Sequence, residues 1–142
     1  MNRYHYSCKI IEYLDNMNYK QNIGFKPTGL WYSIEGDWEI WCRNNNFRTN
    51  DLKYKYLIDF DILKIINIFN EKNLIDFHNE FKIKTSIYFD NVNWLEVSQK
   101  YSGFEISNFP NKIRNNFNWL YGWDCSSGCI WDINIIKSFE LC

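Results

Sequence analysis

The sequence predicts an α+β fold with mixed or antiparallel sheets and short flanking helices, and three observations carry that prediction. Strand-like and helix-like runs alternate irregularly, without the strand-helix-strand rhythm of a parallel sheet. No repeat, charge block or Pro, Gly or Ser-rich linker divides the 142 residues, a length usual for one domain, so residues 1–142 read as a single unit. Turn punctuation is sparse but well placed: Gly24, Pro27 and Gly29, then Gly36, then Gly103 and Pro110, then Gly122 and Gly128.

Taken in order, Arg3 to Ser7 reads as a strand with Arg3, His5 and Ser7 on one side and Tyr4 and Tyr6 on the other. Ile10, Ile11 and Leu14 follow at helical spacing. Leu30 to Ile34 is β-branched and aromatic between Gly29 and Gly36, which fits a strand. Asp37 is the expected N-cap of a helix carrying Trp38, Trp41 and Cys42. Leu52 to Phe60 alternates as a strand, while Leu63 to Ile68 fits either a further strand or buried helix. Asn73 to Phe81 and Val92 to Tyr101 read as amphipathic helices. Phe104 to Ser107 is a strand after Gly103. The tail is expected as a Gly-punctuated loop, a strand at Cys129 to Trp131 and a short terminal helix, with Trp123 to Trp131 serving as framework.

Composition excludes several classes. With 46% hydrophobic and 20% aromatic residues the chain is not disordered. Sixteen Lys and Arg balance 17 Asp and Glu, so there is no basic field of the kind a duplex-binding protein uses. The opening MNRYHYSCKI has no apolar signal core, and no apolar run is long enough to span a bilayer, so a soluble cytoplasmic protein without membrane partners is expected. The odd count of 5 Cys fits free thiols in that compartment. Cys125 and Cys129 form C-x3-C, but no second close ligand pair accompanies them and metal binding is not expected.

The stretches with chemical character are Tyr4-His5-Tyr6-Ser7, Lys26-Pro27-Thr28-Gly29-Leu30-Trp31-Tyr32-Ser33, Asp37-Trp38-Glu39-Ile40-Trp41-Cys42 and Gly103-Phe104-Glu105-Ile106-Ser107. Their order and character resemble the H-Y-E branch of the ADP-ribosyltransferases, the group of diphtheria-type toxins and poly-ADP-ribose polymerases. Trp31 stands in the usual Tyr position of that pattern, and Tyr6 where the family usually has Gly. The tail, Trp119 to Asp132, resembles instead the ending of a group of bacterial and phage proteins that share HY[TS] and KPxGLW elements and have no established activity.

The transferase resemblance implies NAD as cofactor and substrate, with ADP-ribose passing to a protein or nucleic-acid acceptor. It implies His5 on the adenosine-side ribose, Ser7 on the nicotinamide ribose or nearby backbone, and Trp31 with Trp41 or Trp38 flanking nicotinamide beside Tyr32 and Ser33. Glu105 is the implied catalytic acid, with Glu96 and Glu35 as alternatives. The chemistry is coherent, since cleaving the nicotinamide–ribose bond creates an oxocarbenium-like sugar that a carboxylate stabilises. Each residue also has a plainer reading: His5 as a half-buried strand residue bonded to backbone, Glu105 facing water, the tryptophans as core. A second class stays open, a non-catalytic module whose aromatics stack on single-stranded nucleic acid or a partner protein; the interleaving of Lys53, Tyr54, Lys55 and Tyr56 points that way. The two classes differ in whether His5, an aromatic wall and an acid meet in one cleft.

Overall fold

A computed structural model describes residues 1–142 and has the expected α+β architecture. Seven strands form one sheet: β1 (Arg3–Ser7), β3 (Leu30–Ile34), β4 (Tyr54–Phe60), β5 (Ile65–Ile68), β8 (Gly103–Ile106), β9 (Ser127–Ile130) and β10 (Ile136–Leu141). Their order is β10-β4-β1-β3-β9-β8-β5, and only β5 with β8 is parallel. Three short strands, β2 (Ile23–Gly24), β6 (Lys82–Lys84) and β7 (Asp90–Asn93), make a second sheet in the order β2-β7-β6. Three helices complete the fold: α1 (Asp37–Asn44), α2 (Glu71–Phe81) and α3 (Trp94–Lys100).

Cross-strand register sorts side chains onto two faces, because directly opposed residues point the same way and neighbours along a strand point oppositely. Tyr4 opposes Ser33, Ser33 opposes Ser127 and Ser127 opposes Ile106, all on one face. Phe104, Ile106 and Ile68 on that face pack beneath α2 and α3 in an aromatic core with Phe77, Trp94, Trp119, Trp123 and Trp131. The opposite face carries Leu30, Tyr32, Ile34, Ile58, Phe60, Ile65 and Ile130, covered by Ile133 with Leu14, Tyr19 and Phe139 at its margins. Arg3, His5 and Ser7 belong to this second face and Tyr4 and Tyr6 to the first, as the alternation of β1 predicts.

Four local expectations are corrected. Ile10 to Leu14 is not helical: its backbone is claimed elsewhere, with Ile11 N–H donating to the Tyr56 hydroxyl at 2.7 Å, and Tyr19 N–H just beyond donating to Trp131 O at 2.7 Å. The N-cap of α1 is Gly36, at φ 82°, and Asp37 is instead the first helical residue, where its charge favours the helix N-terminus. The expected helix from Val92 starts only at Trp94, because Asp90–Asn93 pairs with β2 and β6. The expected terminal helix is the strand β10, preceded by one 3-10 turn at Ile133–Ile135. β4 needs a partner on its outer edge, and β10 satisfies it while stacking Phe139 on Tyr56 at 4.6 Å.

Candidate functional site

On the first face of the large sheet, where α1 and the tail rise around β1 and β3, a cleft of about 370 Å³ opens. Tyr4 and Tyr6 from β1 and Trp31 and Ser33 from β3 project into it by strand alternation. Trp38 comes from the first turn of α1, Lys26 from the turn before β3, Arg48 and Asp51 from the segment before β4, and Trp123, Asp124, Cys125 and Ser127 from the tail. Clefts that hold small ligands run from roughly 300 Å³ upward. This one is large enough for a mononucleotide-sized group.

Its walls are aromatic and rigid. Trp31 packs on Trp123 with ring centroids 4.9 Å apart, and Trp38 stacks on Trp41 at 5.3 Å and 8° with Phe47 edge-on to both. Lys55 lies 4.1 Å above the Tyr4 ring and holds Glu39, which also accepts from the Tyr6 hydroxyl. Burial, with the Glu39 charge adding to it, holds the Tyr6 hydroxyl well above the usual phenol range. Tyr6 is therefore a neutral donor at any working pH.

The charges at the rim are unequal in their commitments. Arg48 pairs with Asp51 at 2.7 Å and Arg114 with Asp124 at 3.4 Å, so both acids are already matched. Arg48 also holds a left-handed backbone, φ 46°, an arrangement that costs a non-glycine residue energy and often marks a functional loop. Lys26 is in no ion pair. Its ammonium stands 5.3 Å over the Trp31 ring, and although the side chain is exposed as a whole, this packing desolvates its end and lowers its pKa. The cleft thus offers one uncommitted cation beside flat apolar surface.

Five of the residues expected at a site border this cleft: His5, Trp31, Tyr32, Ser33 and Trp38. Two of them do so from the other side of the sheet. His5 Nδ1 bonds the Trp31 carbonyl at 2.7 Å while its ring sits by Tyr56 and Phe139, so this nitrogen carries the proton and what His5 gives the cleft is a fixed strand. Burial lowers its pKa. The Tyr32 ring likewise lies on the far face, its pKa raised well above normal by burial and then by Glu105. Ser7 lies outside the cleft and accepts from Lys9 N–H at 3.1 Å. Trp41 faces a smaller adjoining cavity of about 240 Å³, which shares Asp124 and Cys125 with the first.

Glu105 is sealed rather than facing water or a cleft: it is 0% exposed. Arg3 clasps it with two donors, Nε at 2.5 Å and Nη2 at 3.1 Å, while the Tyr32 hydroxyl at 2.9 Å and Asn67 Nδ2 at 3.1 Å complete its shell. Ser107 in turn donates to Asn67 at 2.8 Å. Glu35 lies on the surface, accepting from Asn2 N–H at 2.6 Å, and Glu96 is the first-turn acid of α3. The carboxylates that do line the cleft are Asp51 and Asp124.

Sequence reasoning passed over most of the rim. Lys26 was legible within the KPTGLW element, but Arg48 and Asp51 carry no motif. The tail was expected to be framework, and Trp123, Ile130 and Trp131 are indeed in the core, yet Trp123 to Cys125 and Ser127 also form a wall of the cleft. Burial pushes the Cys125 thiol up to about 12, with Asp37 and Asp124 adding to it, which leaves it no nucleophile. No protein-family model, curated protein or solved structure matches the chain. No helix is long and apolar enough to cross a membrane.

Proposed function

We propose that the cleft binds a nucleotide, its planar ring held among Tyr4, Tyr6, Trp31 and Trp38 and its anionic group drawn to Lys26. The single observation behind this reading is the meeting of aromatic walls and an uncommitted cation in one concave site. Rings stack on such walls for about 1–3 kcal/mol per base, and the ammonium supplies the charge a phosphate seeks. NAD is the member of the class toward which the sequence resemblance points.

ADP-ribosyl transfer from NAD to a protein or nucleic-acid acceptor is the second reading, favoured by the gathering of Trp31, Ser33 and Trp38 with the carboxylates Asp51 and Asp124 in one cleft. The carboxylate beside the sugar is then Asp124 or Asp51, since Glu105 is fully occupied by Arg3, Tyr32 and Asn67.

Titration of the protein with NAD, AMP, nicotinamide mononucleotide and a short single-stranded oligonucleotide, followed by calorimetry, tests the first reading. Saturable binding of at least one of them is expected; binding of none sinks it. Preference for the oligonucleotide over every mononucleotide selects the nucleic-acid module. Nicotinamide release in the presence of lysate acceptors, falling about a hundredfold in Asp124→Asn or Asp51→Asn with NAD affinity retained, selects the transferase.

A further inference from the structure

A polar atom buried without a partner costs about 1–3 kcal/mol, so native proteins keep few of them. Three side chains here hold one: Ser33 Oγ, Trp123 Nε1 and Trp94 Nε1. Trp94 lies deep in the helix-covered core and borders no cavity described above. Ser33 and Trp123 both line the cleft, at 2% and 1% exposure. Trp123 Nε1 is therefore a buried donor in a cleft-lining residue that nothing in the protein satisfies, while Ser33 Oγ has beside it the Tyr6 hydroxyl, itself committed as a donor to Glu39, and keeps its acceptor capacity open.

Neither residue can move away to find a partner. Ser33 sits on a central strand, opposed by Tyr4 on β1 and Ser127 on β9. The Trp123 ring is wedged between Trp31 at 4.9 Å and Phe104 at 5.4 Å. Their chemistries differ in a useful way, because an indole N–H only donates whereas a hydroxyl both donates and accepts. A ring satisfying both offers an acceptor to Trp123 and, to Ser33, an N–H or a second acceptor.

Building on the nucleotide reading of the cleft, we infer that Ser33 and Trp123 select rings bearing an amide edge, whose carbonyl oxygen accepts from Trp123 Nε1 and whose N–H donates to Ser33 Oγ. The class comprises oxo-substituted purines and pyrimidines and carboxamide-bearing pyridines. A ring without the exocyclic oxygen and its adjacent N–H cannot bond both groups at once, and sites built to bond a polar ligand group discriminate strongly against analogues that lack it.

Two matched pairs isolate that edge. Inosine 5′-monophosphate differs from purine riboside 5′-monophosphate by the oxo group and its N–H, and nicotinamide mononucleotide differs from the pyridine analogue by the carboxamide. Each is titrated into the full chain labelled with 15N at tryptophan. The oxo or carboxamide member of at least one pair should bind tenfold tighter or more and shift the Trp123 indole N–H resonance, while Trp94 stays still as an internal control. Ser33→Ala and Trp123→Phe should each bring the ratio within the pair toward one. Equal binding within both pairs overturns the inference and leaves the nucleotide cleft standing, as does a preference that survives both substitutions. Should Trp123→Phe fail to fold, Ser33→Ala and the Trp123 resonance of the wild-type protein still decide. If no member of either pair binds, the inference falls together with the reading it rests on.

Discussion

The two faces of the large sheet treat polar groups in opposite ways. Behind β3 and β9, Glu105, Arg3, Tyr32, Asn67 and Ser107 satisfy one another, and Glu105 has no exposure at all. In front of the same strands, Trp123 keeps a buried N–H unpaired, Ser33 keeps acceptor capacity open, and Lys26 feels Asp124 but forms no contact ion pair. A satisfied buried network fixes strands, whereas unsatisfied groups around a cleft are free to bond something that arrives. The acid that the sequence resemblance implies as catalytic, Glu105, belongs to the first kind. The residues that can meet a ligand belong to the second.

The largest effect expected from this contrast is on stability. Glu105→Ala strands a mostly buried Arg3 and should cost about 3–5 kcal/mol, the usual result of removing one partner of a buried pair. The midpoint of urea unfolding measures it. A loss below about 1 kcal/mol together with abolished nucleotide binding would reverse the assignment of the two faces. Gly128→Ala comes next at about 1–3 kcal/mol of overpacking, because a Cβ there would lie 2.3 Å from the Tyr32 ring carbon and hydroxyl. A neutral result would mean that Tyr32 need not reach across β9 to Glu105.

The cleft face should respond the other way round. Trp38→Ala is expected to weaken nucleotide binding about tenfold, within the range of one stacking interaction, while its lost contact with Trp41 costs only about 0.5–1.5 kcal/mol. Calorimetric titration beside thermal unfolding separates the two, and a variant that loses several kcal/mol at unchanged affinity would make the cleft wall mere framework.

Acid sharpens the comparison further. Burial holds the pKa of His5 and of His78 below the ordinary 6.5, and His78 Nδ1 accepts from Trp119 Nε1, which protonation forbids. Protons therefore bind the unfolded chain better, so stability is full above about pH 6.5 and declines as pH falls below that value toward the lowered folded pKa values. Melting temperatures at pH 7.5 and 5.5 should show the decline, with equal slope with and without bound nucleotide because neither imidazole faces the ligand. A slope that vanishes on binding would put His5 in the site. The smallest effect is kinetic: Cys8 and Cys142 are exposed and should label first with a thiol reagent, while Cys125, with its thiol pushed up to about 12, lags and slows further when nucleotide fills the cleft. Mass spectrometry of the labelled chain orders them.

Strands whose side chains alternate between two buried faces were legible from residue pattern alone, and β1, β3 and β8 lie where the sequence places them, as does the body of α2. The segments that differ are those whose backbone is claimed from far away. Ile136 to Leu141 has little strand pattern of its own and pairs because β4 needs an edge; Asp90 to Asn93 pairs because two other short strands flank it. The site divides similarly. Trp31, Ser33 and Trp38 were readable as a cluster because they are close in sequence, but Arg48, Asp51 and Asp124 meet them only through the fold. Glu105 was conspicuous because it sits in the last of the four stretches that resemble the transferase pattern. Its partner Arg3 lies 102 residues away, a separation at which no local pattern reveals a pair.

The position of β9 bears on how the protein is made. β10, β4, β1 and β3 form one block and the parallel pair β8 and β5 another, and β9 is the only strand that joins them. During synthesis the earlier strands emerge before Ser127 to Ile130, so the sheet stays in two pieces until that segment is free of the ribosome. The same late segment brings Trp123, Asp124 and Cys125. A nascent chain therefore has no cleft to occupy, and ligand can act as a chaperone only for the finished domain. Arrested chains whose exposed part ends before Ser127 should stay sensitive to protease whether or not nucleotide is supplied, and chains carrying enough added C-terminal linker to expose β10 should become resistant, more so with ligand bound.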